Sequence, residues 1–153
     1  MKIQWKKLML CLTIPLAVGG LSALLTRTGM ESFALINKPS LTPPDWLFPV
    51  AWTILYIFMG FASYLVVISE KPNRSALTVY AIQLAFNLFW SILFFNLKLY
   101  LLSFLWLIML WLLIAATAFL FHRIAKPTWY FLLPYLLWVA FAGYLNFAIY
   151  LLN

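Results

Sequence analysis

Residues Leu99 to Phe121 read LYLLSFLWLIMLWLLIAATAFLF, a run bounded by Lys98 on one side and by His122 and Arg123 on the other, with no acid or base between. As a helix rising about 1.5 Å per residue, it is long enough to cross a hydrocarbon core of roughly 30 Å. Four further stretches are equally free of Asp, Glu, Lys and Arg: Leu8 to Thr26, Trp46 to Ser69, Ser75 to Leu97 and Thr128 to Asn153. In lipid every backbone N–H and C=O must be satisfied within the segment, so each stretch should be helical. The alternation of a lipid-facing strand is missing. Composition agrees, because 67% hydrophobic against 8% charged residues leaves too little polar surface for a soluble globule. The sequence therefore predicts an all-α membrane protein, a five-transmembrane-helix bundle forming one domain over residues 1–153.

A net charge of +7 would suggest a nucleic-acid partner in a soluble protein. Here the ten basic residues sit at the edges of apolar runs, which is a topology signal, and no nucleic-acid partner is expected. Lys2, Lys6, Lys7, Lys71, Arg74, Arg123 and Lys126 fall on one side of the membrane, and Arg27, Lys38 and Lys98 on the other. That imbalance predicts a cytoplasmic N-terminus and an external C-terminus. Lys2, Lys6 and Lys7 before an apolar run also fit a signal peptide, with Gly20 and Ser22 as the small residues before a cut, but the run continues through Leu24 and Leu25, which suits a retained span better. Short connections predict that consecutive helices are antiparallel neighbours. The exception is residues 27–45, read as a semi-rigid lid stiffened by Pro39, Pro43 and Pro44, or else as a plain tether. Asp45 is the expected N-cap of the second span, Pro49 fits its first turn, and Pro15 and Pro134 are expected as local kinks.

Conventional catalytic chemistry is absent. The three acids, Glu31, Asp45 and Glu70, all lie in connections, His122 flanks a span end, and Cys11 has no partner for a disulfide or metal. No metal site is expected. Aromatic residues make up 20% of the chain, and five of the tryptophans lie well inside spans: Trp52, Trp90, Trp106, Trp111 and Trp138. Trp52, Tyr56, Met59 and Ser63 share one helical face at i, i+4, i+7 and i+11. Tyr135, Trp138, Ala142 and Asn146 share another, and Gln83, Asn87 and Trp90 a third. Amides in hydrocarbon must point inward. They either line a cavity for a large, planar, mostly apolar molecule, beside the space that Ala142 leaves next to Trp138, or they only join helices.

Several of these residues occur in longer recognisable strings: Asn37-Lys38-Pro39-Ser40, Pro43-Pro44-Asp45-Trp46, Trp52, Leu55-Tyr56, Met59-Gly60 and Ser63-Tyr64-Leu65-Val66. They continue with Gln83-Leu84-Ala85-Phe86-Asn87 and with Pro134-Tyr135-Leu136-Leu137-Trp138 through Leu145-Asn146. Over essentially its whole length the chain resembles the TspO/MBR family of tryptophan-rich sensory and translocator proteins, also called peripheral-type benzodiazepine receptors. The resemblance implies five helices around a pocket closed by the first loop, binding porphyrins such as protoporphyrin IX, and isoquinoline carboxamide drugs, with no covalently held cofactor. It implies a lining of Trp52, Gln83, Asn87, Trp138, Ala142 and Leu145, to which Tyr56, Phe86, Trp90 and Asn146 are added from the matched strings and faces. Some bacterial members of the family degrade protoporphyrin IX under light and oxygen, so the resemblance also implies Trp52 and Trp138, which match their tryptophans, as the reactive, catalytic side chains. A bacterial cytoplasmic membrane is the expected location, and tetrapyrrole handling or stress sensing the expected role. The rival readings are a transporter of porphyrin or another lipophile, and a passive receptor.

The chain departs from animal members at the end of span five, where Phe147 replaces the tyrosine of the cholesterol pattern and no base follows Lys126, so no cholesterol partner is expected. The aromatic pair that often precedes the first-loop motif is Ser32-Phe33 here. Family dimers often pack through small residues on span three, and Ala81 with Ala85 supplies that spacing for a homodimer.

Overall fold

The computed structural model describes residues 3–153, so Lys2 of the N-terminal basic cluster lies outside the described residues. The helices are α1 (Trp5–Leu25), α2 (Arg27–Phe33), α3 (Leu47–Val67), α4 (Arg74–Ser91), α5 (Tyr100–Ile124) and α6 (Thr128–Leu152), and α4 runs on through a π-helical turn at Ile92–Asn96. Five of them, counting α4 with its π turn, are long and apolar enough to span a membrane. They match the five charge-free runs to within a few residues. The helices extend past those runs where a base can stay helical with its head in water, as at Lys6 and Lys7 in α1 and Arg123 in α5. Their outer faces carry exposed Leu10, Leu24, Leu105, Phe119 and Leu137. Such continuous apolar surface belongs against lipid.

The five spans close a ring in the order α1, α3, α6, α5, α4 and back to α1. The expectation that all consecutive helices pack side by side therefore fails for α3 and α4, because α1 lies between them. The reason is local: a Cβ on Gly60 would stand 2.9 Å from Leu12 Cα and 3.0 Å from the Cys11 carbonyl oxygen, so the backbones of α1 and α3 touch there. Pro15, one turn beyond Cys11, has no N–H to offer that carbonyl. Pro134 lies inside α6, and Pro49 falls in the first turn of α3.

The two ends of the bundle differ. Towards the α3–α4 and α5–α6 connections the core is solid, with Met59, Val66, Ile114, Phe121 and Leu132 fully buried. Towards residues 27–45 the helices spread. That segment departs from the sequence reading in two ways. It is not wholly irregular, because α1 breaks at Thr26 and resumes as α2, which rests on the π turn so closely that a Cβ on Gly29 would meet the Phe95 carbonyl oxygen at 2.6 Å. Asn96 of the π turn donates to the Leu25 carbonyl at 2.8 Å, satisfying an acceptor that the end of α1 leaves free. Nor does Asp45 cap α3: the helix starts at Leu47 with no side-chain cap, and Asp45 instead pairs with Lys38 at 3.1 Å. The segment is tied to the C-terminal end of α6 by Asn37, whose N–H donates to Asn153 Oδ1 at 3.1 Å and whose carbonyl accepts from Asn153 Nδ2 at 2.9 Å. Ala81 and Ala85 are exposed on the outer face of α4.

Gly60→Ala should lower stability against unfolding in detergent by about 1–3 kcal/mol, since the added methyl meets backbone that can yield only by separating α1 from α3. Gly143→Ala is the control. Its methyl meets only Leu107 Cδ2, at 3.6 Å, so it should be neutral or stabilising by up to about 1 kcal/mol.

Candidate functional site

A cavity of about 500 Å³ fills the spread half of the bundle, walled by α1, α2, α3, the end of α4 and α6. Its size lies within the roughly 300–1,000 Å³ usual for small-molecule sites. Two groups of aromatic rings form most of the wall. On one side Trp52 sits 5.8 Å from Tyr56 and 6.0 Å from Trp90, ring centre to ring centre, and Trp90 stacks on Phe94 at 5.6 Å. On the other, Trp138 lies between Phe48 at 6.1 Å and Phe141 at 5.8 Å. Ala142 and Leu145 continue the α6 wall, while Gly19 and Gly20 leave the backbone of α1 as wall on the opposite face. Gly19 is required there, because a Cβ would come 2.3 Å from the Tyr56 ring.

Seven of the expected site residues, Trp52, Tyr56, Trp90, Trp138, Ala142, Leu145 and Asn146, line this cavity. Gln83 and Asn87 do not, and instead lie behind Tyr56 in a buried chain of hydrogen bonds. Tyr56 donates its hydroxyl to Asn87 Oδ1 at 2.9 Å, Asn87 Nδ2 donates to the Tyr135 hydroxyl at 2.8 Å, and Tyr135 donates to Gln83 Oε1 at 2.9 Å. The amides thus join α3, α4 and α6, as one of the two sequence readings had it, and hold one wall residue in place. Phe86 faces away from the cavity, stacked on Trp106 at 4.3 Å. Of residues 27–45, the wall takes Met30, Phe33 and Asp45, whereas Pro39, Pro43 and Pro44 lie off it.

Some wall residues escaped the sequence reading although its own signal reached them. Phe48 is i−4 from Trp52, Phe94 is i+4 from Trp90, and Phe141 is i+3 from Trp138, so all three share a named face. Met30 and Phe33 carried no such signal, since the segment holding them was read as a loop.

Polar groups on the wall are few. Asn146 is mostly committed: its Oδ1 accepts from Trp90 Nε1 at 3.1 Å and from Ser103 at 3.0 Å, and its Nδ2 donates to the Tyr100 carbonyl at 2.8 Å. Trp138 differs, because its Nε1 is buried without a protein partner. A buried N–H in that state costs free energy unless something accepts its hydrogen bond. Among the described acids and bases, only Asp45 lies on the wall. Among the described residues no three His, Cys, Asp or Glu side chains come together as a metal site.

Comparison with known proteins gives a consistent match. Residues 11–152 fit the model of the TspO/MBR family. The chain is 41% identical to the tryptophan-rich protein TspO of Chlorobaculum tepidum, covering 100% of this chain and 99% of that protein. It is 38% identical to a TspO of Archaeoglobus fulgidus over 96% of this chain and 97% of the other. The translocator protein of Bos taurus is 36% identical, over 88% of this chain and 82% of its own length.

Tyr135→Phe should cost about 1 kcal/mol of stability in detergent, because it leaves Gln83 Oε1 and Asn87 Nδ2 without their partner. The cavity should survive. Thermal unfolding reads the first effect, and partition of an apolar fluorescent probe into the protein, altered by less than about threefold, reads the second.

Proposed function

The chain belongs to the TspO/MBR family of integral membrane proteins, and from that premise we propose that it binds planar, largely apolar small molecules, with porphyrins such as protoporphyrin IX as the leading class, in the cavity between Trp52 and Trp138. The observation that carries this reading is the pair of facing aromatic walls, with Trp52, Tyr56 and Trp90 on one side and Trp138 on the other, beside a buried Trp138 Nε1 that has no partner among the described residues. Flat π faces suit offset stacking and edge contacts with a macrocycle. A ligand acceptor, such as the amide carbonyl of an isoquinoline carboxamide drug, on this reading takes the Trp138 N–H once binding uncovers it. On this reading the protein acts in tetrapyrrole handling or stress sensing in a bacterial cytoplasmic membrane, with the end bearing Lys6, Lys7, Lys71, Arg74, Arg123 and Lys126 in the cytoplasm.

The same geometry supports light-driven degradation of the bound porphyrin. Light makes the macrocycle an oxidant that takes one electron from the indole of Trp52 or Trp138. Dioxygen then takes that electron from the reduced macrocycle, leaving as superoxide. The oxidised indole gives its N–H proton to that superoxide, which becomes a hydroperoxyl radical, and adds to a macrocycle carbon, and the resulting carbon radical captures a second dioxygen as a peroxyl radical. No acid, base or metal of the protein enters this sequence, which suits a wall whose only charged residue among those described is Asp45.

Titration of the purified protein with protoporphyrin IX should quench tryptophan fluorescence saturably. Trp138→Phe should weaken binding of an amide-bearing aryl ligand by about two- to tenfold, the value of one hydrogen bond of ~0.5–1.5 kcal/mol. Illumination of the porphyrin complex in air should bleach its visible absorption, more slowly in Trp52→Phe and in Trp138→Phe. Quenching that never saturates would sink the binding proposal. Bleaching at the same rate in both variants would remove the chemistry and leave binding standing.

A further inference from the structure

Among the described residues the cavity wall takes one acid, Asp45, and no Lys, Arg or His. A ligand carrying a carboxylate would meet repulsion and no counter-charge anywhere on that wall. Relief is at hand in Lys38, whose ammonium is held between two wall residues, 3.1 Å from Asp45 Oδ1 and 4.3 Å above the centre of the Phe33 ring. The two partners of this ion pair are unequal. The Lys38 side chain is only 19% exposed and the Asp45 side chain is 66% exposed.

Their anchorage is unequal as well. Lys38 follows Asn37, which is fastened to Asn153 and the Leu152 carbonyl, and its ammonium keeps the Phe33 ring whatever Asp45 does. Between the two, the chain turns at Pro39, where Thr42 returns both its N–H and its hydroxyl to the Pro39 carbonyl at 3.0 and 2.7 Å. Lys38 is the fixed, sheltered member and Asp45 the solvated, releasable one. An exposed carboxylate loses little on leaving such a pair, because water replaces its partner.

We propose that Lys38 is the receptor for an acidic group on the edge of the cavity's ligand, and that Asp45 occupies that receptor until a ligand carboxylate displaces it. This rests on the cavity being the site of a planar ligand, and it names the preferred class as planar molecules bearing a peripheral carboxylate. The apolar body sits between Trp52 and Trp138, while the acid stays at the rim on the ammonium. The exchange swaps one charge-assisted hydrogen bond for another, so the apolar wall never holds an unpaired charge. Asp45 then sets selectivity by competition.

The test compares protoporphyrin IX with its dimethyl ester, which keeps the macrocycle and removes both charges, on the full-length wild-type protein, Lys38→Met and Asp45→Asn in detergent micelles. Lys38→Met retains an apolar contact for Phe33 and should weaken binding of the diacid by about tenfold while leaving the diester within about twofold. Asp45→Asn should tighten the diacid several-fold and leave the diester alone. The diacid affinity of the wild type should fall with added salt, and that of Lys38→Met should not. Equal losses for diacid and diester in Lys38→Met would assign Lys38 a structural role and overturn the proposal, as would a diacid affinity indifferent to both substitutions. If neither porphyrin binds the wild type, the cavity reading itself falls. If the diester binds but the diacid shows no dependence on Lys38, only the receptor falls.

Discussion

The chain of hydrogen bonds from Tyr56 through Asn87 and Tyr135 to Gln83 divides the molecule in two. In an apolar bundle such polar side chains have nowhere else to go, so their mutual satisfaction fixes how α3, α4 and α6 face one another. Position along each helix shows the division. On α3 the cavity wall runs from Phe48 to Tyr56 and the solid core from Met59 to Val66. On α4 the order is reversed, with core at Ala76, Tyr80 and Leu84, the amides at Gln83 and Asn87, and wall from Trp90 onward. On α6 the core residue Leu132 precedes Tyr135, and the wall begins at Trp138. The network is the floor of the cavity and the roof of the core.

Above that floor the bundle keeps an open volume without collapsing because its rim is separately fastened. Asn96 holds the end of α1, Gly29 lets α2 lie against the π turn, and Asn37 with Asn153 ties the segment 27–45 to the end of α6. These are backbone-directed hydrogen bonds and close backbone contacts, neither of which asks for a large apolar residue. Filling the space with side chains would be the cheaper way to stabilise helices, so an aromatic cavity held open by polar fastenings is consistent with a ligand site.

The spans were legible because lipid allows one solution for the backbone, and a charge-free run such as Leu99 to Phe121 has no other reading. The inward faces of α3, α4 and α6 were legible from spacing for the same reason that any helix face is. What spacing could not separate was wall from backing. Gln83 and Asn87 point inward as expected, but whether an inward residue meets the cavity or a neighbour depends on the reach of Tyr56 and Tyr135 from other helices. The position of α1 between α3 and α4 was equally hidden, since it depends on a contact between Gly60 and the backbone of Leu12 that no periodicity records. Asp45 misled because an acid just before a helix is commonly its cap, and the competing partner, Lys38, becomes visible only once the proline turn brings the two together.

Tryptophan content alone said little about which indole matters, and hydrogen bonding removes three of the five deep ones. Trp106 gives its N–H to the Phe86 carbonyl at 2.9 Å and Trp111 to the Leu136 carbonyl at 3.1 Å, so both serve to lock α5 onto its neighbours. Trp90 lines the cavity, yet its N–H is spent on Asn146, which Ser103 and the Tyr100 carbonyl hold in turn. Its ring is available for stacking, its donor is not. Trp138 presents both, a ring on the wall and a buried N–H without a protein acceptor. The N–H groups of Trp90, Trp106 and Trp111 are thus explained by the fold that they complete, whereas Trp52 and Trp138 line the cavity and Trp138 leaves a buried donor that no described residue satisfies. A buried donor of that kind is costly to keep for packing alone, because a phenyl ring at position 138 would fill most of the same wall without the penalty.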